Sequence, residues 1–369
     1  MSTLETNSIG KYSGNNVSID DPLKLKSYST SARNALTSVT GDTIYNTDDN
    51  KVQVYNGSSW DDLGGIAAFQ IQFVIVAGGG GGAGIWGSGN MGAGGAGAGG
   101  YVSNVTGENS GGGLSATQTM YIAPSTNYTV SIGAGGVGTQ SQNQESGYEG
   151  NPSYFNNITA EGGGAAQSYI EKMALGRSAK GGSGGGRGTY INRAGVSTEG
   201  GDGLTGQGYD GGSVQGALSG AHNNATGGGG GASAVGANAS SDNGGAGGAG
   251  VATSISGSSV TYAGGGGGSG AGTVGTGGAG GGADGVKNAN GNNGTANTGG
   301  GAGGVYNTTS VTSDRYGGNG GSGIVVLRYP NTYTLSQSGL TTSNINTAIG
   351  GTSDKYTTIT AGTGTVSFA

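Results

Sequence analysis

From Phe69 to Val76 the chain reads Phe-Gln-Ile-Gln-Phe-Val-Ile-Val, alternating at first and then continuously apolar. Alternation puts one face of a strand on a core and an unbroken apolar run buries both, so this segment predicts a strand entering a buried layer. Segments 101–106, 119–123, 128–132, 153–160, 252–256, 259–263 and 324–329 carry similar β-prone residues and are read the same way. Nearer the amino terminus, Thr43-Ile44-Tyr45-Asn46 and Val52-Gln53-Val54-Tyr55 flank a polar turn over 47–51, and a second turn at Asn56-Gly57 leads to Trp60 and Leu63. Leu23-Lys24-Leu25 reads as a strand, and 31–39 as a short helical or extended connector. At the carboxyl end, 356–360 and 365–368 read as a closing hairpin around Ala361-Gly362-Thr363-Gly364. Helical periodicity is almost absent; 168–175 is compatible with two turns of helix or with a loop.

Glycine changes this picture. Of 369 residues 93 are Gly and 4 are Pro, against a usual Gly share of ~7%, which leaves large apolar side chains for only thin buried layers. Collagen is excluded, because it requires Gly at every third position with abundant Pro, whereas here Gly78 to Gly82, Gly227 to Gly231 and Gly264 to Gly268 are unbroken. Two readings remain for the runs: disorder, or ordered polyglycine II. The second is a left-handed helix with three residues per turn, in which the lack of side chains lets neighbouring helices hydrogen-bond laterally. A charged fraction of 9%, 18 Tyr and strand-like segments between the runs favour order. The runs follow strands: Val76-Ala77, Ile132-Gly133-Ala134, Ala160-Glu161 and Tyr262-Ala263 each lead into glycine. The expected fold is all-β, with short strands forming a base from which polyglycine stretches extend and return through loops. Composition divides the chain into a polar segment over 1–65, a glycine-rich body over 66–330 and a Thr/Ser-rich tail over 331–369.

Several chemistries fall away. The chain has no Cys, so disulfides and thiolate metal sites are excluded. A net charge of −6 without a Lys/Arg cluster gives no track for nucleic acid. No stretch approaches the ~18 apolar residues of a membrane span, and 1–20 has neither the basic nor the apolar region of a secretion signal. The run from Val74 to Gly84 satisfies the dinucleotide pattern of a strand followed by G-x-G-x-x-G, but continues into Ile85-Trp86-Gly87 rather than a helix, and its next acidic residue is Glu108. Asp202, Asp210 and Asp284 sit beside glycines without a calcium repeat and read as turn formers. Lone His222, between Ala221 and Asn223, builds no metal site. No nucleophile elbow or carboxylate cluster indicates an enzyme, and no cofactor is expected.

What remains are aromatic and basic residues between the glycine runs: Trp86, Met91, Tyr148, Tyr169, Tyr190, Arg193, Tyr209, His222, Tyr306, Arg315 and Tyr316. Tyr, Trp and Arg combine contact area with hydrogen bonding and dominate binding hot spots, so these are candidate receptor contacts. The alternative for each is that it folds back over the glycine array or packs on a neighbouring subunit.

The sequence from Gly41 to Trp60, GDTIYNTDDNKVQVYNGSSW, resembles a segment common in structural proteins of marine and cyanobacterial phages. Phe73-Val74-Ile75-Val76-Ala77, Tyr128 to Gly136 and Gly323 to Pro330 resemble the glycine-rich domain of phage tail proteins. A more distant likeness is to T-even-type adhesins, whose distal domain packs polyglycine II helices. These resemblances imply a tail-fibre or tail-tip protein, commonly a homotrimer, assembled in the bacterial cytoplasm and acting at the host surface. Its amino-terminal segment would hold other virion proteins, through Leu23, Leu25, Tyr45, Val52, Val54, Tyr55 and Trp60, and its loops a polysaccharide or outer-membrane protein receptor. A purely structural virion component and an ice-binding or matrix protein are the competing readings.

Overall fold

A computed structural model describes residues 25–63, 68–87, 91–117, 119–140, 145–168, 179–189, 198–214, 224–308 and 313–369. The chain forms two compact units, Met1–Ala67 and Ala68–Ala369. The protein is nearly all β, as its patterning predicts.

In the first unit β1 (Ser27–Tyr28), β2 (Thr43–Asn46), β3 (Lys51–Tyr55) and β4 (Trp60–Asp62) form one sheet in that order. Both predicted turns are present, and Gly57 supplies the second with φ of +103°. The connector contains a one-turn helix, α1 (Thr30–Asn34), capped by the Ser29 hydroxyl. Buried Asn46 and Gln53 make the interior polar: the Asn46 amide donates to Asp49 Oδ2 at 2.7 Å and Gln53 Oε1 at 3.1 Å, and Arg33 donates to the same Gln53 oxygen at 2.7 Å. A unit this small has little apolar surface to bury, so side-chain hydrogen bonds fix its geometry. Leu25 lies outside any strand; Leu23 lies outside the described residues.

The second unit begins with β5 (Phe69–Val76), followed by β6 (Met91–Ala93), β7 (Tyr101–Ser103), β8 (Met120–Ile122), β9 (Tyr128–Ser131), β10 (Ser153–Phe155) and β11 (Ile158–Ala160). Then come β12 (Val251–Thr253), β13 (Val260–Tyr262), β14 (Val286–Lys287), β15 (Val305–Asn307), β16 (Ile324–Pro330), β17 (Leu335–Ala348) and β18 (Asp354–Phe368). Nine strands form the base sheet, in the order β11-β10-β9-β18-β16-β5-β7, with β17 on β18 and β8 on β5. β5 shows why its pattern changes midway: Phe69, Ile71, Phe73 and Ile75 pack into one core with Phe155, Leu327 and Phe368, while Val74 and Val76 pack into a second with Tyr101 and Val326.

Two predicted elements differ. Segment 153–160 is a hairpin, β10 and β11, turning at Asn156 with φ of +54°. The closing hairpin does not turn at 361–364: β18 runs straight through, and its partner is β17, reached through 349–353. Gly362 (φ +100°) and Gly339 (φ +76°) sit where the β17–β18 register slips, so they serve as bulge rather than turn residues.

Between the strands the glycine runs are ordered with threefold periodicity. Gly78 and Gly81 donate to Asn151 and Tyr148, Gly79 and Gly82 to Gly321 and Gly318, and Gly80 to Gly97. Their carbonyls accept, in the same rotation, from Gly163 and Ala166, from Gly136 and Thr139, and from Ala302. The run thus meets three neighbours through its N–H groups and three through its carbonyls, the hexagonal packing of polyglycine II. Gly264 to Gly268 repeats the arrangement, and both runs bond to the rod 94–100, through Gly80 N–H to Gly97 and Gly266 N–H to Ala96. Only glycine fits at such contacts: a Cβ on Gly80 would stand 2.1 Å from the Gly164 carbonyl oxygen, and one on Gly266 would stand 1.9 Å from that of Ala302. Alanines occupy the places where the lattice leaves room; Ala83, Ala96, Ala166 and Ala302 cluster with Ile85 and Val305.

Outer rods end their lateral bonding on polar side chains. Asp210 and Asp284 each accept a backbone N–H seven residues earlier, from Gly203 and Gly277, both at 2.7 Å. They cap the lattice edge rather than only forming turns, while Asp202 pairs with exposed Lys180 at 2.5 Å.

Candidate functional site

The rods run between two ends. At one lies the base sheet. At the other, β14, β15 and β6 form a three-stranded sheet in which Val286 pairs with Val305 and Met91 with Asn307. Residues flanking several connections converge here: Gly92 N–H donates to Thr189 Oγ1 at 2.8 Å, Gly94 N–H to Gln167, and Tyr306 Oη to Asn224 Oδ1 at 3.4 Å. At ~3.1 Å per residue in polyglycine II, rods such as 77–84 hold this tip ~25 Å beyond the strand ends.

Ile85 and Arg315 exchange backbone hydrogen bonds of 3.0 and 2.9 Å, which sets Trp86 and Tyr316 beside this bridge at the tip. Both rings are largely in solvent, Trp86 at 55% and Tyr316 at 49% exposure, with Met91 and Arg315 half-buried nearby. The backbone beneath is held by side chains: Gly87 N–H donates to Asp314 Oδ1 at 3.2 Å, Asn307 Nδ2 to the Gly87 and Ser313 carbonyls, and Tyr316 N–H to Asn290 Oδ1 at 3.1 Å. Large aromatic surface on a fixed backbone loses little entropy on binding.

Four predicted contacts therefore come together: Trp86, Met91, Arg315 and Tyr316. Tyr306 does not join them as a contact. It is fully buried, packed where a Cβ on Gly92 would meet its ring, and burial, assisted by the Asp242 charge, pushes its hydroxyl up to about 12. Tyr148 is exposed on the flank of the lattice, its N–H bonded to Val137, and Tyr209 lies near the base, its hydroxyl against Gly113. Tyr169, Tyr190, Arg193 and His222 lie outside the described residues. In the first unit Tyr45, Val52 and Val54 share one half-exposed face of the β2–β3 ladder, while Tyr55 and Trp60 pack ring to ring at 5.4 Å.

Sequence reasoning missed the Asn residues 288, 290 and 293, which brace the tip and the rods behind it. Asn288 Oδ1 accepts from Thr308, and Asn293 Oδ1 from Asn319 N–H. An Asn in a glycine-rich segment carries no signal that separates bracing from turning. Also missed were two clefts on the flank of the base, lined among others by Gln70, Glu108, Arg328 and Asp354, and by Glu108, Asn109 and Tyr209. Among the described residues no group of three or more His, Asp or Glu is placed to hold a metal, and no helix is long and apolar enough to cross a membrane.

No curated protein matches the chain. A family model described as a glycine-rich domain matches residues 59–330, a span that takes in the rods, the tip and the base strands as far as β16, and the chain belongs to that family.

Proposed function

We propose that this protein is a bacteriophage virion adhesin, a tail-fibre or tail-tip component whose glycine lattice presents a binding tip to the host cell. The observation that carries this reading is the exposed Trp86–Tyr316 pair, with Met91 and Arg315, on a braced backbone at the end of the lattice opposite the base. The phage-like segment from Gly41 to Trp60 supports attachment of the first unit to other virion proteins, through the face of Tyr45, Val52 and Val54. In a homotrimer, weak tip contacts repeated over copies would gain strength through effective concentration rather than through any single strong site.

The test is binding of the labelled full chain to a panel of bacterial strains. Saturable binding to a subset of strains is expected, reduced about tenfold or more in a Trp86→Ala/Tyr316→Ala variant of unchanged melting temperature. Absence of binding to any strain, together with immunogold labelling of virions away from the distal tail, would instead favour a structural virion component. Binding that ignores the two substitutions would remove the tip from the account.

A further inference from the structure

Two clefts on the flank of the base, about 460 and 490 Å³, are both lined by Glu108. Each falls within the ~300–1,000 Å³ of small-ligand sites. Glu108 follows a turn at Gly107 (φ +82°), and its Oε1 accepts from Ser254 N–H at 2.8 Å and Ser254 Oγ at 3.3 Å, which ties it to the β12–β13 connection. Its Oε2 is held out of solvent and accepts no hydrogen bond among the described residues.

In the first cleft Arg328 Nε donates to Asp354 Oδ2 at 2.8 Å, which leaves the terminal guanidinium nitrogens without a protein partner among the described residues. The exposed side chain of Gln70 makes no hydrogen bond among the described residues. Of the apolar residues that line this cleft, Ile71, Val105 and Tyr329 are buried and Pro330 is half-buried, so its walls combine amide, hydroxyl, guanidinium and carboxylate groups with the edge of the Pro330 ring. The second cleft adds the half-buried ring of Tyr209.

This chemistry selects its ligand. Asp354 offsets Arg328 and Glu108 stands unopposed, so the site is net negative and disfavours phosphates and carboxylates. A large apolar peptide side chain would find only the half-buried Pro330 as open apolar wall in the first cleft. Neutral sugars match: vicinal hydroxyls pair with planar amide, guanidinium and carboxylate groups, and the apolar side of a pyranose lies on an aromatic ring. We propose that the two clefts form a groove for a neutral oligosaccharide, spanning Glu108, with Gln70 and Arg328 on one side and Tyr209 on the other. This site is separate from the tip and does not depend on the tip binding a receptor.

The experiment is calorimetric titration of the full chain with neutral di- to hexasaccharides of hexose and N-acetylhexosamine, with uronate-containing analogues in parallel. At least one neutral sugar is expected to bind, more tightly than its uronate analogue. Gln70→Ala and Tyr209→Ala are each expected to weaken it about tenfold, while Trp86→Ala/Tyr316→Ala leaves it unchanged. The Gln70 side chain is exposed and makes no hydrogen bond among the described residues, so its truncation keeps the fold; the melting temperature of the Tyr209 variant is measured alongside. Failure of every neutral sugar to bind, affinity unchanged in both groove variants, or binding lost only in the tip variant would each overturn the proposal. A tip variant that loses cell binding while the sugar still titrates supports the groove independently.

Discussion

Replacing Gly80 with alanine puts a methyl group where the rods 77–84 and 161–168 touch. Its Cβ would lie 2.1 Å from the Gly164 carbonyl oxygen and 2.7 Å from the carbonyl carbon. An ordinary carbon–oxygen contact is about 3.3 Å, so the rods must part by about 1 Å. They are joined by Gly163 N–H to the Gly78 carbonyl at 2.9 Å and Ala166 N–H to the Gly81 carbonyl at 3.0 Å, all four residues buried. Stretched to about 4 Å, neither bond survives, and each broken buried bond costs about 1–3 kcal/mol. The stiffer unfolded chain returns about 0.4–1 kcal/mol. The net loss is about 1–5 kcal/mol, a large part of the ~5–15 kcal/mol that holds a domain together. Scanning calorimetry reads it directly, with Gly350→Ala as the control, since nothing lies within 4 Å of a Cβ there; that variant is expected to stay within about 0.5 kcal/mol of the parent. Equal stability of the two variants would refute the lattice contact.

The reverse change also tests the packing. Ala96→Gly removes a fully buried methyl from the Ala83, Ile85 and Val305 cluster and is expected to cost about 1–2 kcal/mol from lost burial and added chain freedom; an unchanged melting temperature would contradict it. Stability should also fall in strong base. An unfolded tyrosine ionises near pH ~10, while burial raises Tyr306 to about 12 and moves Tyr101, Tyr262 and Tyr329 upward as well. Across that window the unfolded chain has released protons that the folded chain keeps. The melting temperature should therefore hold below pH ~10 and drop above it, less steeply in Tyr306→Phe, and equal slopes would exclude Tyr306 as a contributor.

Legibility in the sequence followed side-chain information. β5 could be read because Phe69 to Val76 has an apolar pattern, including its change midway, and the structure assigns the two halves of that pattern to one and then two cores. The glycine rods were readable as a class, because unbroken runs leave lateral backbone bonding as the main source of order. Their neighbours were not, since Gly78 and Gly79 are chemically identical yet bond to different rods. β17 was missed for a related reason: only Leu335 and Leu340 of its fourteen residues are buried, so a polar edge strand shows no alternation. At 361–364 glycine reads as a turn signal in the sequence, whereas Gly362 resolves a register slip inside a long strand. Among the contact residues, composition could not distinguish Tyr306, enclosed by the lattice, from Tyr316, exposed at the tip.

The claim that the glycine runs form a cooperative lattice is tested most directly by amide hydrogen exchange at Gly78 to Gly82 and Gly264 to Gly268. Every one of these N–H groups donates to another rod. Exchange slowed by more than about a thousandfold in both runs, and lost together on denaturation, is the predicted result. Exchange at unstructured-chain rates in either run, with the base strands still protected, would contradict the lattice.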